Sequence, residues 1–287
     1  MKNNKTNKSC LKKCLYIVAT PIGNLDDISE RAIRILKEVD FIICENPKHS
    51  LKLLNNKGIK KKLIPLHDYN EKKIINKITK NKNNSKIAFI SDAGSPLISD
   101  PGYRLIKYFI ENNYFITAIP GASSVINALQ LSGLPIHNFA FFGFVPKQKT
   151  KIKQFFDKIN NINLTSVFFV SGKNLKKTMN NIIDFMGERE IAVCKELTKL
   201  NEHIFRGKTS EVLEILSEEK NLFKGEFTLV VSGQIKKKSD KINKDINKIL
   251  IKLLKKYNLT EVVKIVHSLT GISRKVIYQI AIKIKDG

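Results

Sequence analysis

The regular alternation of short apolar runs with amphipathic segments limits the fold of this chain more than any other feature. Four apolar runs of four or five residues occur before position 120, and the segments between them place apolar residues at helical spacing. Strands that alternate with helices predict an α/β fold with a mostly parallel sheet. We expect buried strands at residues 15–19, 41–44, 87–90 and 115–119, and helices between them that include residues 29–39 and 102–111.

The same alternation resumes after Pro146 and indicates a second α/β domain. The two domains are expected to meet near residues 133–147. From Gln234 onward the sequence is rich in lysine and then helical in pattern, with turn signals at Asn258 and at residues 271–273. The elements expected in this half are strands at residues 166–170, 191–195 and 227–231, and helices at residues 175–186, 210–217, 246–257 and 259–284.

These boundaries divide the chain into four expected parts. Residues 1–14 carry five lysines and no acid, and we expect them to be a disordered basic leader. Residues 15–133 are expected to form an N-terminal α/β domain and residues 134–233 a C-terminal one. Residues 234–287 are expected to be a small helical extension joined by a basic linker, residues 236–244.

Composition places the chain among ordinary globular proteins. Its 287 residues suffice for one or two domains, and hydrophobic residues make up 42% of them, which argues against a disordered chain. No apolar run reaches the roughly 20 residues that a membrane span requires. The apolar stretch after the leader has only five residues, too few for a signal peptide. We therefore expect a cytoplasmic protein.

Several common site motifs do not occur in the sequence. The four cysteines form no CxxC pair and the five histidines form no HExxH, so we expect neither disulfides nor a metal site. The GxGxxG and GxxxxGK[ST] loops are also missing, which argues against a dinucleotide dehydrogenase and a P-loop nucleotidase. The sequence also has no GxSxG motif, which argues against the nucleophile elbow of an α/β-hydrolase.

The chain is strongly basic. Its 51 Lys and Arg against 26 Asp and Glu give a formal net charge of +25, which favours an anionic partner such as nucleic acid. Only six of the bases are arginine, and lysine, asparagine and isoleucine are abundant, as drift toward AT-rich codons would also produce. The charge therefore indicates an anionic partner without identifying it.

Three loops rich in Gly, Pro, Ser and Asp follow predicted strands. They are residues 20–27, 91–102 and 120–124. In an open α/β sheet, ligands bind beyond the carboxyl ends of the strands, and small residues let a ligand approach the main chain closely. The alternative is that the loops are only tight turns, but three at corresponding strand ends favour a ligand site.

Eight ordered motifs resemble the ribosomal RNA small-subunit methyltransferase I family, of the tetrapyrrole-methylase-like class III methyltransferases. The most specific are Val-Ala-Thr-Pro-Ile-Gly-Asn-Leu near the first strand and Ser-Asp-Ala-Gly-Ser-Pro-Leu-Ile-Ser-Asp-Pro-Gly after the third. The resemblance implies two α/β domains with S-adenosyl-L-methionine in the cleft between them. It also implies a homodimer and 2′-O-methylation of a cytidine in the decoding region of 16S rRNA, with no DNA or membrane partner. The motifs are residues 15–28, 91–104, 120–124, 131–135, 142–146, 195–199, 205–207 and 225–231.

The resemblance also implies roles for individual residues. Asp92 has an alternative role as a turn former. For proton transfer from the ribose hydroxyl the candidates are Glu196, Lys199 and Glu45, each of which could instead form a structural ion pair or contact RNA phosphate. The residues implied for cofactor binding are Pro21, Ile22, Asp92, Ala93, Gly94, Ser95, Ile98, Ala122, Ser123, Ser124, Phe169, Val170 and Thr228.

Two segments depart from the family's pattern. The family usually has Glu-Asp-Thr-Arg where this chain has Glu-Asn-Pro-Lys at residues 45–48, and Tyr-Glu-Ser-Pro-His-Arg where this chain has Phe-Val-Ser-Gly-Lys-Asn at residues 169–174. Each change removes a carboxylate, so it is open whether this chain positions RNA as the family does. Two alternatives stand beside the rRNA methyltransferase: a non-catalytic RNA-binding or ribosome-assembly protein, which these changes motivate, and a methyltransferase of the same fold that acts on a small tetrapyrrole.

Overall fold

A computed structural model describes residues 14–81, 85–218, 224–233, 247 and 249–285. The described residues up to Gly233 form one compact unit, and those from Asn247 onward form a second. Residues 1–13 of the expected leader and the whole of the expected linker, residues 236–244, lie outside the described residues.

The first sheet has five strands, and all of its strand pairs are parallel. Its order is β3-β2-β4-β1-β5, so β4, β1 and β5 are neighbours. The carboxyl ends of these three strands therefore meet at one edge, together with the loops at residues 20–27, 91–102 and 120–124 that follow them. The strands are β1 Cys14–Val18, β2 Phe41–Cys44, β3 Lys62–Pro65, β4 Lys86–Ile90 and β5 Phe115–Ile119.

Helices cover both faces of the first sheet. Successive strand residues point to opposite faces, so Ile42 packs with α1 and α2, whereas Phe41 and Ile43 pack with α3 and α4. Ser29 caps α1, because its hydroxyl oxygen accepts a hydrogen bond from the Ala32 N–H at 3.1 Å. The helices are α1 Glu30–Glu38, α2 Pro47–Asn56, α3 Glu71–Asn81 and α4 Tyr103–Glu111.

The second sheet is mixed, with order β6-β7-β10-β8-β9. Only the β6–β7 pair is parallel, and the other three pairs are antiparallel. One face packs against three helices, α6 Lys149–Asn160, α7 Gly172–Met186 and α8 Thr209–Glu218. The strands are β6 Phe139–Phe144, β7 Thr165–Ser171, β8 Glu190–Lys195, β9 His203–Lys208 and β10 Glu226–Val231.

Helix α5, Ser124–Ser132, follows the last strand of the first sheet but packs on the second. Its buried residues Val125, Ala128 and Leu129 belong to one apolar cluster with Val167 of β7 and Val230 of β10. The helix therefore covers the face of the second sheet opposite α6, α7 and α8, and ties the two sheets together.

The sequence pattern correctly predicts seven strands and misses three. Strand β5 is present but is not buried as expected: it is an edge strand, and Phe115 is 48% exposed. The missed strands β3, β6 and β9 are the remaining edge strands, and each has at most one fully buried residue.

The second unit consists of helices. Helical residues 249–254 (α9) are followed by α10 Leu259–Thr270 and α11 Arg274–Lys285, which pack through Leu250, Val262, Val266 and Ile277. Both turn signals are confirmed, because Asn258 and Glu261 form a capping box at the start of α10, and Gly271 ends it in the left-handed conformation. Among the described residues, no helix is both long and apolar enough to cross a membrane.

Candidate functional site

A cavity of about 510 Å³ in the first unit is lined by residues from both sheets. The first sheet contributes residues from the segments that follow β1, β2, β4 and β5. The second sheet contributes residues at or near the ends of β6, β7, β8 and β10. Segments far apart in sequence thus converge where the carboxyl ends of the parallel strands lie.

The segments after β1 and β4 are joined by main-chain hydrogen bonds. The Thr20 N–H donates to the Gly94 carbonyl at 2.9 Å, and the Gly94 N–H donates to the Thr20 carbonyl at 3.0 Å. Gly94 has a φ of 77°, which favours glycine. A Cβ there would lie 3.2 Å from Ile22 Cγ2 and 3.7 Å from the Ala122 carbonyl oxygen. Glycine at this position therefore lets three loops approach one another closely at the cavity wall.

Most of the residues implied for cofactor binding line this cavity. Pro21 and Ala122 do not. Pro21 is buried beside Ile22, and the Ala122 carbonyl accepts a hydrogen bond from the Ser95 hydroxyl at 3.4 Å. The residues that do line it are Ile22, Asp92, Ala93, Gly94, Ser95, Ile98, Ser123, Ser124, Phe169, Val170 and Thr228.

Three carboxyl groups, from Glu45, Asp92 and Asp100, line one side of the cavity. Burial, followed by the charge of Glu45, raises the pKa of Asp100 to about 6. Burial and the charge of Asp92 also raise the pKa of Glu45. Asp92 is held in place because its Oδ1 accepts a hydrogen bond from the Asn46 N–H at 3.1 Å. This side of the cavity therefore favours a cation or a group that gives up a proton.

Lys199 lines the cavity, but two carboxylates bind its ammonium group. Its Nζ lies 2.9 Å from Glu226 Oε2 and 3.3 Å from Glu196 Oε1. Burial alone would lower the pKa of Lys199, but the hydrogen bond and charge of Glu226, together with Glu196, outweigh burial and raise it. Glu196 does not line the cavity, and its Oε1 also accepts a hydrogen bond from the Glu226 N–H at 2.8 Å. Lys199 is therefore a paired cation at neutral pH.

Several lining residues were not predicted from the sequence. Asp100 is in the same loop as Asp92, and Phe144 is in the motif at residues 142–146, so position within a motif was the available signal. Glu226 and Gly225 come just before the predicted strand 227–231. The lining residues outside the predicted set are Ser99, Asp100, Val125, Phe144, Ser171, Cys194, Leu197, Gly225, Glu226 and Phe227.

The two segments that depart from the family's pattern both lie at this site. Asn46 caps α2, since its Oδ1 accepts hydrogen bonds from the Lys48 and His49 N–H groups at 3.1 and 3.4 Å. Pro47 then occupies the first turn of α2, where its missing backbone N–H costs no helical hydrogen bond. In the other segment, Phe169, Val170 and Ser171 line the cavity and α7 begins at Gly172.

Among the described residues, thiols and metal ligands add no further site. Cys14, Cys44 and Cys194 are buried free thiols, and burial raises the pKa of Cys194, which lines the cavity, to about 12. Such a thiol stays protonated and unreactive at neutral pH. Within residues 14–81, 85–218, 224–233, 247 and 249–285, no group of three or more His, Cys, Asp or Glu side chains could hold a metal ion.

The chain matches known proteins over most of its length. Residues 14–213 match the family Tetrapyrrole (Corrin/Porphyrin) Methylases. The "Ribosomal RNA small subunit methyltransferase I" of Rickettsia prowazekii is 41% identical over 237 residues, which is 81% of this chain and 83% of that protein. The protein of the same name from Haemophilus influenzae is 39% identical over 271 residues, which is 92% of this chain and 95% of that one.

Solved structures share the fold at low sequence identity. A cobalt precorrin-4 methyltransferase superposes with a TM-score of 0.57 at 15% identity, covering 76% of this chain and 94% of that one. A diphthine synthase superposes with a TM-score of 0.56 at 16% identity, covering 77% and 90%. The expected tetrapyrrole-methylase-like fold, with two α/β sheets and a C-terminal helical extension, is confirmed. Because relatives about 40% identical cover most of both chains, this chain belongs to the ribosomal RNA small subunit methyltransferase I family of the tetrapyrrole methylases.

Proposed function

We propose that this protein methylates the ribose 2′-hydroxyl of a cytidine in the decoding region of 16S rRNA, with S-adenosyl-L-methionine as the methyl donor. The observation that carries the proposal is the cavity of about 510 Å³, which combines a carboxylate side with apolar and small residues in a chain of this family. The relatives' name supports small-subunit rRNA as the substrate. The cytidine, the 2′-hydroxyl and the decoding region rest on the family resemblance.

The residues of the cavity fit this cofactor. Methyltransferases of the tetrapyrrole methylase family use S-adenosylmethionine, which supplies an activated methyl group on a positively charged sulfur when bound. The carboxylates of Glu45, Asp92 and Asp100 suit a cation, and Ile22 and Phe169 offer apolar contact to an adenine ring. The N–H groups at the start of α5 suit the carboxylate of a methionine. These groups hold the ligand without any phosphate-binding loop.

Placement of the acceptor hydroxyl supplies much of the rate advantage in a transfer of this kind, and its proton needs an acceptor. Of the three sequence candidates, Lys199 is a paired cation and Glu196 already accepts two hydrogen bonds, whereas Glu45 lines the cavity. Asp100, which sequence reasoning did not select, has a pKa of about 6 and is therefore ionised at neutral pH. We assign proton acceptance to Asp100, with Glu45 as the neighbour whose charge strengthens it as a base.

Small-subunit RNA fits the charge of the chain. A net charge of +25 attracts a polyanion and strengthens phosphate contacts. A tetrapyrrole substrate would gain less from that charge.

Exposed apolar side chains on edge strands, such as Phe115 of β5 and Phe139 of β6, support the homodimer that we also propose, because a second copy would cover such groups. Light scattering of the purified protein gives its molar mass and tests this point.

One experiment tests the proposed reaction. Small ribosomal subunits that lack the modification are incubated with the protein and labelled S-adenosylmethionine, and ribose methylation is mapped along the RNA. We expect methyl transfer to one cytidine of the decoding region. Calorimetry with the cofactor alone serves as the control. A protein that binds small-subunit RNA but neither binds the cofactor nor transfers a methyl group would be a non-catalytic RNA-binding protein.

A further inference from the structure

A second groove, of about 770 Å³, lies beside the cavity on the second sheet. Its walls are the segment that follows β6 and one face of α7. On that face Lys173, Lys177 and Asn181 are spaced four residues apart, so they follow one another along the helix surface. The lining residues are Phe144, Val145, Pro146, Lys147, Ile152, Phe169, Val170, Ser171, Lys173, Asn174, Lys177, Thr178 and Asn181.

The lining of this groove is basic. It includes the ammonium groups of Lys147, Lys173 and Lys177, all exposed, and no Asp or Glu is among the described residues that line it. Within the part of the chain that the structure describes, none of the three lysines forms an ion pair. Asn181 adds an amide. Lysines without a carboxylate partner, along one groove, are suited to the phosphates of a nucleic acid strand.

The groove is continuous with the cavity described above. Phe144, Phe169, Val170 and Ser171 line both. Phe144 is 63% exposed, and its ring centre lies 5.1 Å from that of Phe169. An exposed aromatic ring beside a basic groove is a platform on which a nucleobase can stack. A strand lying in the groove would therefore reach the cavity at the position of Phe144.

We propose that this groove binds the RNA strand next to the methylated nucleotide, with Lys147, Lys173 and Lys177 on its phosphates and Phe144 stacked on a base. The proposal rests on the proposed function, because it takes the substrate to be RNA. An acidic protein is the other polyanion that could occupy the groove. It would lack the regular phosphate spacing and the bases, and it is one outcome of the test.

The test measures RNA binding by the full chain. A triple variant, Lys147→Gln, Lys173→Gln and Lys177→Gln, is compared with a control of equal charge, Lys37→Gln, Lys52→Gln and Lys60→Gln, whose exposed lysines line neither cavity. The probe is a transcript of the 16S decoding region, titrated between 50 and 250 mM KCl. Each lost phosphate contact lowers the slope of log affinity against log salt by roughly 0.7 to 0.9, so we expect the groove variant to lose about 2 to 3 from the slope. The control should lose little.

Further variants separate the contribution of the lysine charges from that of aromatic stacking. Replacing the three groove lysines by arginine should restore the slope, and Phe144→Leu should weaken binding by roughly tenfold or more at an unchanged slope, because only a stacking contact is lost. Three results would each overturn the proposal. The groove variant could keep the salt slope of the unsubstituted protein, or both triple variants could lose the same amount of slope. The third is a protein that binds an acidic polypeptide but not RNA. Since the readout is binding, a protein that binds RNA through the groove but transfers no methyl group would contradict only the proposed function.

Discussion

The ammonium nitrogen of Lys199 lies 2.9 Å from Glu226 Oε2, and this ion pair joins the segment after β8 to the first residue of β10. Glu196 completes the arrangement, with its Oε1 bound to both Lys199 Nζ and the Glu226 N–H. A lysine bound in this way acts as a fixed positive charge at the cavity wall.

Lys199→Met should lower the free energy of unfolding at pH 7.5 by about 1 kcal/mol, because two carboxylates lose their shared partner at a half-buried site. Since the pKa of Lys199 is raised, its contribution to stability is fully present below its unfolded pKa of about 10.5 and is lost as pH rises from there through the higher folded value. Urea unfolding measures the loss, and Lys199→Arg is the conservative control. A methyl-transfer rate that rises between pH 7 and 9 and loses that rise in Lys199→Met would contradict this assignment.

Asp100→Asn should abolish most of the activity and stabilise the protein. The pKa of Asp100 in the folded chain is about 6, above its ordinary value of 3.8. Between pH 3.8 and pH 6 the folded chain therefore binds a proton at Asp100 more readily than the unfolded chain does. The unfolding free energy therefore falls as pH rises through this window and stays low above it. Asparagine removes the charge, and we expect a gain of about 1–3 kcal/mol at pH 8 and little change at pH 4. Methyl transfer should fall by roughly 10² to 10⁴.

Thermal unfolding of the cofactor-free protein at both pH values, together with the methyl-transfer rate, checks this prediction. Asp184→Asn is the matched control, since Asp184 is exposed and lines neither cavity. Destabilisation of Asp100→Asn at pH 8 would contradict the raised pKa of Asp100, and full activity would contradict its assignment as the proton acceptor.

Gly94→Val should abolish cofactor binding and also destabilise the fold. Gly94 has a φ of 77°, and a Cβ there would lie 3.2 Å from Ile22 Cγ2, so a branched side chain strains this loop. Gly133→Val is the matched control, because Gly133 has a φ of 73° and open space around its Cβ. Both variants should lose about 1–2 kcal/mol from the backbone conformation. Calorimetry should show cofactor binding by Gly133→Val alone, and binding by both would remove this loop from the site.

A chain that ends at Gly233 should bind the cofactor normally and RNA more weakly. Residues 236–287 hold 14 Lys and Arg against four Asp and Glu, and the described helices in this region form a compact unit with its own apolar cluster. Loss of this unit should reduce the salt dependence of RNA binding, by roughly 0.7 to 0.9 in slope for each lost contact. Titrations of the full and shortened chains from 50 to 250 mM KCl measure it. Identical affinities and slopes would show that the charge of the tail has no role in RNA binding.

Loops and central strands were predictable from the sequence because each signal is local. The segment after β4 shows its small residues directly, and buried strands such as β2 appear as unbroken apolar runs. Strand β6 was missed because Gly143, with a φ of 66°, falls where its register against β7 shifts, so its aromatic residues show no regular alternation. The properties of Asp100 and Lys199 depend on Glu45 and Glu226, distant in the chain, and no local pattern reveals them.

The position of α5 has a consequence for how the first unit unfolds. Its first residues belong to a loop of the first sheet, while its apolar side packs on β7, β8 and β10 of the second. Burial of Val125, Ala128 and Leu129 against the second sheet stabilises this arrangement by several kcal/mol. The second sheet therefore holds in place Ser123 and Ser124, which the chain following the first sheet contributes to the cavity wall. Because residues up to Gly233 form one compact unit, we expect them to unfold in a single cooperative calorimetric transition.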